Sequence, residues 1–241
     1  HFDVDGRLIE APAEARGNSL EGRLHQGAYP VEERYGFVFA YMGPPEARPP
    51  LPLYDGLERP GHRLVSYKLH SPCNWFQIRE NDLDTAHGKY LHTDVHGVQV
   101  TECYTAEPYC EWVETPIGIL SVSGRRWKGN IFIRCTDYIW PSVGRISALE
   151  DAEGESYFDR RGGMMAWCVP IDDTNSYEFK TFEIEEHLPD PERNGLIDRQ
   201  AKAGVAPTMF EIGQDGSRLY EERQRNPGDW DAWVGQGPIS H

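Results

Sequence analysis

Between Val98 and Phe182, five runs rich in β-branched and aromatic residues follow one another with no helical stretch between them: VQVTECYTA, CEWVETPIGILSVSG, NIFIRCTDYIWP, GMMAWCVPI and SYEFKTFEI. Pro-Ile-Gly, Trp-Pro-Ser and Asp-Asp-Thr-Asn separate them as turns. Consecutive strands joined by turns predict an antiparallel sheet, which rules out most other architectures for the chain. Around that sheet, His62 to His70 reads as a further strand and Trp75 to Leu91 as a helix of modest propensity, weakened by Asn81, Asp82 and Thr85. After Asp190 the chain turns charged and helical in PERNGLIDRQAKAG, SRLYEERQRN and PGDWDAWVGQG. The predicted class is α+β, with the helices packed on one side of a single antiparallel sheet.

The first residues differ. His1 to Ile9 alternates apolar and polar residues around Asp5-Gly6, a hairpin signal. Tyr29 to Met42 ends in a strand with Phe37, Phe39 and Tyr41 on one face, followed by GPPEARPPLP, whose proline density excludes helix and sheet interior alike. These changes divide the chain into a small all-β piece (1–45), a Pro-rich linker (46–60) and a main domain (61–241). No internal repeat interrupts this plan.

With 241 residues, 39% hydrophobic and 12% aromatic, the chain has enough apolar surface for a packed core. A net charge of −15 argues against nucleic acid or an anionic membrane as its partner, since both demand basic patches. The 5 cysteines contain no Cys-x-x-Cys pair, which makes a thiolate zinc site or a disulfide framework a poor fit and a reducing compartment, the cytoplasm, the expectation. No apolar run approaches the length of a membrane span, and no signal peptide is recognisable. The first residue is not Met and falls within a strand-like stretch, so the chain reads as a fragment.

One stretch carries chemistry: Cys73 to Gly97, CNWFQIRENDLDTAHGKYLHTDVHG. His87 and His92 are five positions apart, about 140° around a regular helix. They could share a metal only if the helix ends or bulges by one residue near Gly88. The spacing differs from the His-Glu-x-x-His pattern of zinc proteases, and the residues between are Gly, Lys, Tyr and Leu. Two histidines and a carboxylate make the facial triad of non-haem Fe(II) oxygenases. Asp84, three residues before His87, could ligate or could fix the histidine tautomer; Asn81 lies one turn earlier as a neutral hydrogen-bonding group. A rival set, His87, His92 and His96, would suit zinc. Plain surface residues remain the commoner role for histidines in a polar helix.

The string NWFQIRENDLDTAHGKYLH resembles the signature of the catalytic α subunits of Rieske non-haem iron oxygenases: Asn-Trp, Glu-Asn-x-x-Asp-x-x-His, four residues, and a second His. Here Asn74-Trp75, Glu80-Asn81, Asp84, His87 and His92 meet it. HFDVDGRLIEAP is similar to the segment that follows the cluster ligands in this family. NPGDWDAWVGQGPI is similar to the C-terminal helix of its phthalate-dioxygenase-like branch. The resemblance implies a helix-grip, START-like catalytic domain preceded by the all-β tail of a Rieske domain. It also implies Fe(II) held by His87, His92 and Asp229, with Asp231 as the alternative if the register slips by two. The family's Cys-x-His and Cys-x-x-His are absent, so no cofactor-binding residue for the [2Fe–2S] cluster is expected in this piece.

The implied function is activation of dioxygen in an apolar pocket under the sheet. The outcome would be hydroxylation or O-demethylation of an aromatic acid or aryl ether, with electrons from a reductase or ferredoxin. A homotrimer is implied, with Asp84 bridging His87 to a cluster-ligand histidine of the neighbouring subunit and Asn81 beside the iron. Arg126, Lys128 and Arg134 are candidate partners of a substrate carboxylate. Most of the sheet aromatics (Tyr104, Trp112, Trp127, Phe132, Tyr138, Trp140, Trp167) are expected in the core. Two rivals stand beside this reading: a non-catalytic ligand-binding module on the same framework, and a zinc hydrolase.

Overall fold

A computed structural model describes residues 1–14, 20–95, 101–147, 149–150, 156–157, 161–185 and 216–239. The chain forms two compact units, His1–Leu53 and Tyr54–His241.

In the first unit, Phe2 and Leu8 face each other in an antiparallel bridge across a turn completed by Gly6 at φ 80°. The strand expected to end at Met42 is a hairpin of β1 (Val31–Arg34) and β2 (Phe37–Ala40). Tyr35 (φ 56°) and Gly36 (φ 78°) supply the two left-handed residues that a tight hairpin turn requires. The proline-rich stretch that follows forms only a short 3₁₀ turn, Pro45–Ala47.

The second unit is built on seven antiparallel strands: β3 (His62–Ser71), β4 (Tyr109–Thr115), β5 (Gly118–Trp127), β6 (Asn130–Ile139), β7 (Val143–Ser147), β10 (Arg161–Asp172) and β11 (Asn175–Glu185), with a small pair β8 (Leu149–Glu150) and β9 (Ser156–Tyr157) set apart. Their order is β3-β11-β10-β7-β6-β5-β4. Every sequential turn makes a hairpin except that β11 returns to pair with β3, which brings the earliest strand beside the last one. The sheet is therefore the predicted one, with one correction. The run VQVTECYTA contributes no described strand: Val98–Val100 lie outside the described residues, and Glu102–Thr105 winds into a 3₁₀ turn that buries Cys103 and Tyr104.

The inner sheet face divides into two regions. At the β3–β11 end it carries a dry cluster of Val65, Tyr67, Phe182 and Ile184, while across β5 and β6 it carries Ser121, Ser123, Arg125 and Thr136, all buried and polar. On this face lies α1 (Trp75–Leu83). Asn74 starts it by accepting from the Phe76 amide at 2.9 Å, and Gln77 Oε1 accepts from the Asn74 amide at 3.1 Å. A cap of this kind is worth about 1 kcal/mol. Ile78 packs with Cys73, Cys168, Trp230 and Trp233, which fastens the C-terminal helix Asp229–Gly235 to α1 and the sheet.

The single helix expected over Trp75–Leu91 is instead two pieces. The first ends at Leu83; the chain bends through Asp84–Ala86, then forms α2 (His87–Lys89) and a π-helical turn, Tyr90–Asp94. The break has a local cause. The Asp84 carboxylate accepts from the Ala86 amide (2.9 Å) and the His87 amide (3.3 Å), a side-chain turn that redirects the chain just before the next helix. Towards the C terminus come α3 (Tyr220–Arg225) and α4 (Asp229–Gly235). The helical stretch expected in PERNGLIDRQAKAG lies outside the described residues. Among the described residues, no helix is long and apolar enough to cross a membrane.

Candidate metal centre

The π turn resolves the five-residue spacing. The Val95 amide reaches the Tyr90 carbonyl at 3.2 Å, an i→i+5 bond. The Thr93 hydroxyl donates to the Lys89 carbonyl, which an α-helical Thr93 amide would otherwise engage. One extra residue per turn swings His92 round to the side of His87. The ring centroids are 5.3 Å apart. Gly88 lies between them against the Tyr104 ring; a Cβ there would fall 2.5 Å from Tyr104 Cε1.

The His87 tautomer follows from its partner. Nδ1 faces the main-chain carbonyl of Asp84, which can only accept, so Nδ1 carries the proton and Nε2 presents its lone pair. The carboxylate of Asp84, expected against the His87 ring, accepts from the Ala86 and His87 amides instead. The difference arises because Asp84 sits on the bend between helices rather than on a continuous helical face, so its main chain reaches the ring. Its side chain is exposed.

Asp229 comes from α4. Gly228 precedes that helix, and the Asp231 carboxylate accepts from the Gly228 amide at 3.1 Å. Trp230 Nε1 donates to the His70 carbonyl at 2.9 Å, which ties the first turn to the end of β3. Thus held, Asp229 Oδ1 lies 3.3 Å from His92 Nε2 and 3.6 Å from His87 Nε2. Asn81 Nδ2 donates to the same oxygen at 3.4 Å. Asp231 is engaged elsewhere, with Arg223 Nε at 2.9 Å and with Arg218.

One donor atom from each of His87, His92 and Asp229 lies within 4.8 Å of the others. Cis ligands about 2.1 Å from a shared ion would be about 3 Å apart, so the three residues fit a divalent metal with small adjustments. Their charge states suit it too. Burial opposes ionisation of Asp229, but the neighbouring His92, by charge and hydrogen bond, outweighs it and holds the carboxyl well below the usual range. Burial lowers the His87 pKa, against the pull of Asp229. An ionised carboxylate and a His87 ring that gives up its proton readily are the states a metal requires. His96, required by the zinc alternative, lies outside the described residues.

The triad opens on a cavity of about 100 Å³ between the helices and the sheet. Ile146, Met164, Phe182 and Trp233 line part of it, and Asp82, Tyr104, Ser123, Arg125, Arg134, Thr136, Glu178 and Lys180 set polar groups into a wall whose exposed surface is mostly apolar. Arg79, buried, pairs with Asp82 (2.7 Å) and Glu178 (2.8 Å), and Lys180 pairs with Glu178 (3.2 Å). Of the three candidate cations, only Arg134 reaches the cavity; Arg126 is exposed and Lys128 is on the surface beside Glu102 at 3.4 Å. Arg125 was missed, although the alternation Ser121-x-Ser123-x-Arg125 is a period-2 polar face. Among the aromatics, Tyr104 and Tyr138 are buried, but Trp112 (57%) and Trp140 (53%) are exposed rather than in the core.

No family model matches the chain. It is 38% identical over 256 residues to the tert-butanol monooxygenase / tert-amyl alcohol desaturase oxygenase subunit of Aquincola tertiaricarbonis, covering 100% of this chain and 53% of that protein. It is 31% identical over 255 residues to phenoxybenzoate dioxygenase subunit alpha of Ectopseudomonas oleovorans, covering 99% and 57%. The chain thus spans about half the length of the curated relatives it matches. Among solved structures, dicamba monooxygenase bound to 3,6-dichlorosalicylic acid superposes with a TM-score of 0.59 at 18% identity, covering 98% of this chain and 74% of that one. The terminal oxygenase of carbazole 1,9a-dioxygenase from Nocardioides aromaticivorans gives 0.54 at 14% identity, covering 98% and 75%. The fold is shared with both.

Proposed function

Because the chain is homologous to the oxygenase subunits of Rieske non-haem iron oxygenases, we propose that it carries the mononuclear iron centre of such an enzyme. The observation that carries this reading is the convergence of His87, His92 and Asp229 from two distant stretches of sequence onto one point at a cavity. Fe(II) bound there would supply dioxygen activation for hydroxylation or O-demethylation of an organic substrate.

The chain's own residues prepare that site. The Asp84 carbonyl fixes the His87 ring, and Asn81 fixes the Asp229 oxygen, so the ligands are oriented before any metal arrives. The sheet floor and Trp233 wall the cavity and limit water. Exposure of Asp84 beside His87 supports a contact of its carboxylate with a histidine of a neighbouring subunit. We assign it the electron bridge from a [2Fe–2S] cluster in a homotrimer, fed by a reductase or ferredoxin. Relatives are named for substrates as different as tert-butanol, phenoxybenzoate and phthalate, so kinship leaves the substrate of this protein open to the cavity's own chemistry. The free state of all five cysteines fits a reducing compartment such as the cytoplasm.

The test is metal analysis joined to turnover in the full-length protein. His87→Ala and Asp229→Ala should lose the mononuclear iron. Asp84→Ala should keep it and lose substrate-coupled oxygen uptake. Full iron occupancy in either ligand variant would refute the ligand set, and coupled turnover in Asp84→Ala would refute the bridge. A non-catalytic binding module predicts no iron at all, and a zinc hydrolase predicts zinc and indifference to Asp229.

A further inference from the structure

Where α1 breaks off, consecutive main-chain carbonyls lose the partners that a helix would give them. In a continuous helix, Leu83 and Thr85 would accept from the amides of His87 and Lys89. Here the His87 amide goes to the Asp84 carboxylate, and the Lys89 amide goes to the Ala86 carbonyl. Side chains take the carbonyls instead. Trp112 Nε1 on β4 donates to Leu83 at 3.1 Å, the His87 ring donates to Asp84, and Arg125 Nη2 on β5 donates to Thr85 at 2.8 Å. The Thr85 hydroxyl also meets Cys110 Sγ on β4. Trp112 and Cys110 pair with Ser121 and Ser123, on the sheet face that carries Arg125. The edge of the sheet therefore grips the bend on both sides of Asp84.

The middle carbonyl is the one that orients the His87 ring. A peptide unit is planar, so a hold on the Leu83 carbonyl fixes the plane that leads into Asp84, and a hold on the Thr85 carbonyl fixes the plane that leaves Thr85. The Asp84–Thr85 plane between them has little freedom to rotate, and its oxygen stays where His87 Nδ1 meets it. Packing does not account for the indole: Trp112 is 57% exposed, whereas Arg125 is 1% exposed. We propose that Trp112 is a positioning residue for the metal centre. Its N–H, together with Arg125, holds the Leu83–Thr85 bend so that the Asp84 carbonyl keeps His87 Nδ1 protonated and leaves the Nε2 lone pair facing Asp229. The inference rests on the oxygenase reading for the identity of the metal, and on the geometry of the bend for the hold on His87.

Two replacements isolate the N–H: Trp112→Phe, and 3-benzothienylalanine at the same position, which keeps the bicyclic shape and lacks the donor. In the metal-free protein at pH 8, the nitrogen-15 shifts of the His87 ring should show Nδ1 protonated in the parent and a mixture of tautomers in each variant. Co(II), followed by its visible absorption, should bind about three- to tenfold more weakly to both variants and with an altered spectrum. Removing a direct partner of a ligating histidine costs more, about 10–100-fold. Melting temperatures should stay within about 2 °C of the parent, because a solvent-exposed hydrogen bond contributes little to stability. Parent-like tautomers and Co(II) binding in both variants would overturn the proposal. So would a change confined to Trp112→Phe, which would place the effect in packing, or one matched by a large fall in melting temperature in both variants, which would mark general loosening. The two readings fail separately. A parent that binds no metal, but whose His87 tautomer shifts in the variants, loses only the oxygenase reading. A parent that binds metal with a His87 indifferent to Trp112 loses only the positioning role.

Discussion

A methyl group at Gly88 would fall 2.5 Å from a Tyr104 ring that is itself 2% exposed and lies beneath the Arg125 guanidinium. Arg134 holds the ring at its hydroxyl and Arg125 lies over its face, so the helical turn between His87 and His92 would move instead. Gly88→Ala should therefore destabilise the fold by about 1–3 kcal/mol, despite alanine's better helix propensity. It should also cut iron retention, read as a lower melting temperature together with sub-stoichiometric iron; a fully iron-replete Gly88→Ala protein would show that the turn tolerates displacement. The residue scale is also where the sequence was most informative. His87, His92 and Asn81 were named from a local motif, and short-range spacing is what a sequence displays directly. The partners of Asp84 were less accessible, because which of its atoms meets the His87 ring depends on a bend that the residue itself creates. Asp229 was reachable only by resemblance. No spacing rule connects it to Asn81, 148 residues earlier, with which it shares a hydrogen bond.

Among the elements, the strands of the sheet were legible because β-branched and aromatic runs between turn formers leave few alternatives, whereas the helix over Trp75–Leu91 was read as continuous and is not. A π turn produced by a hydroxyl competing for a carbonyl leaves only a faint mark in sequence, here Thr93 four residues after Lys89. One buried contact joins α1 to β11 through charge. Arg79 is 1% exposed and bridges Asp82 on its own helix and Glu178 on the strand, and the absence of a side chain at Gly144 leaves room for the pair against β7. Replacing Arg79 with Met would strand the buried Asp82 carboxylate, leaving Glu178 with Lys180 alone, and should cost about 3–5 kcal/mol at pH 8. Burial has already pushed the Asp82 carboxyl up to about 6 even with the arginine present. Protonation in the folded state relieves the stranded charge, so the deficit should shrink as pH falls to 6 and below. Denaturant melts of both proteins at pH 8 and pH 5.5 measure this, and an unchanged deficit would mean that Asp82 is not the group concerned.

At the scale of the whole molecule, the fold class and the placement of helices on one sheet face followed from the order of strand-like and helix-like stretches. The polar groups set into the cavity wall did not, because burial of Ser123, Arg125 and Thr136 depends on which parity of β5 and β6 faces inward, and packing sets that. Metal uptake is a property of this assembled interior. Since burial lowers the His87 pKa, the ring stays neutral to more acid pH than a free imidazole at about 6.5. Asp229, held below the ordinary carboxylate range, stays ionised throughout. Protons should therefore compete poorly at these two positions, and the His87 ring, followed by NMR in the metal-free protein, should titrate below the free-imidazole value. Titration at or above about 6.5 would contradict the assignment of His87 as a desolvated ligand.

The ligands also have a consequence through chain order. Two come from one short stretch and the third from α4, roughly 140 residues later, so any ion seated among them is a cross-link that closes most of the sheet into a loop. During synthesis the ribosome exposes His87 and His92 long before Asp229 exists, and the complete centre can form only once α4 has docked through Trp230 on the end of β3. An ion bound there would act on the finished fold as a clasp on the helix that arrived last.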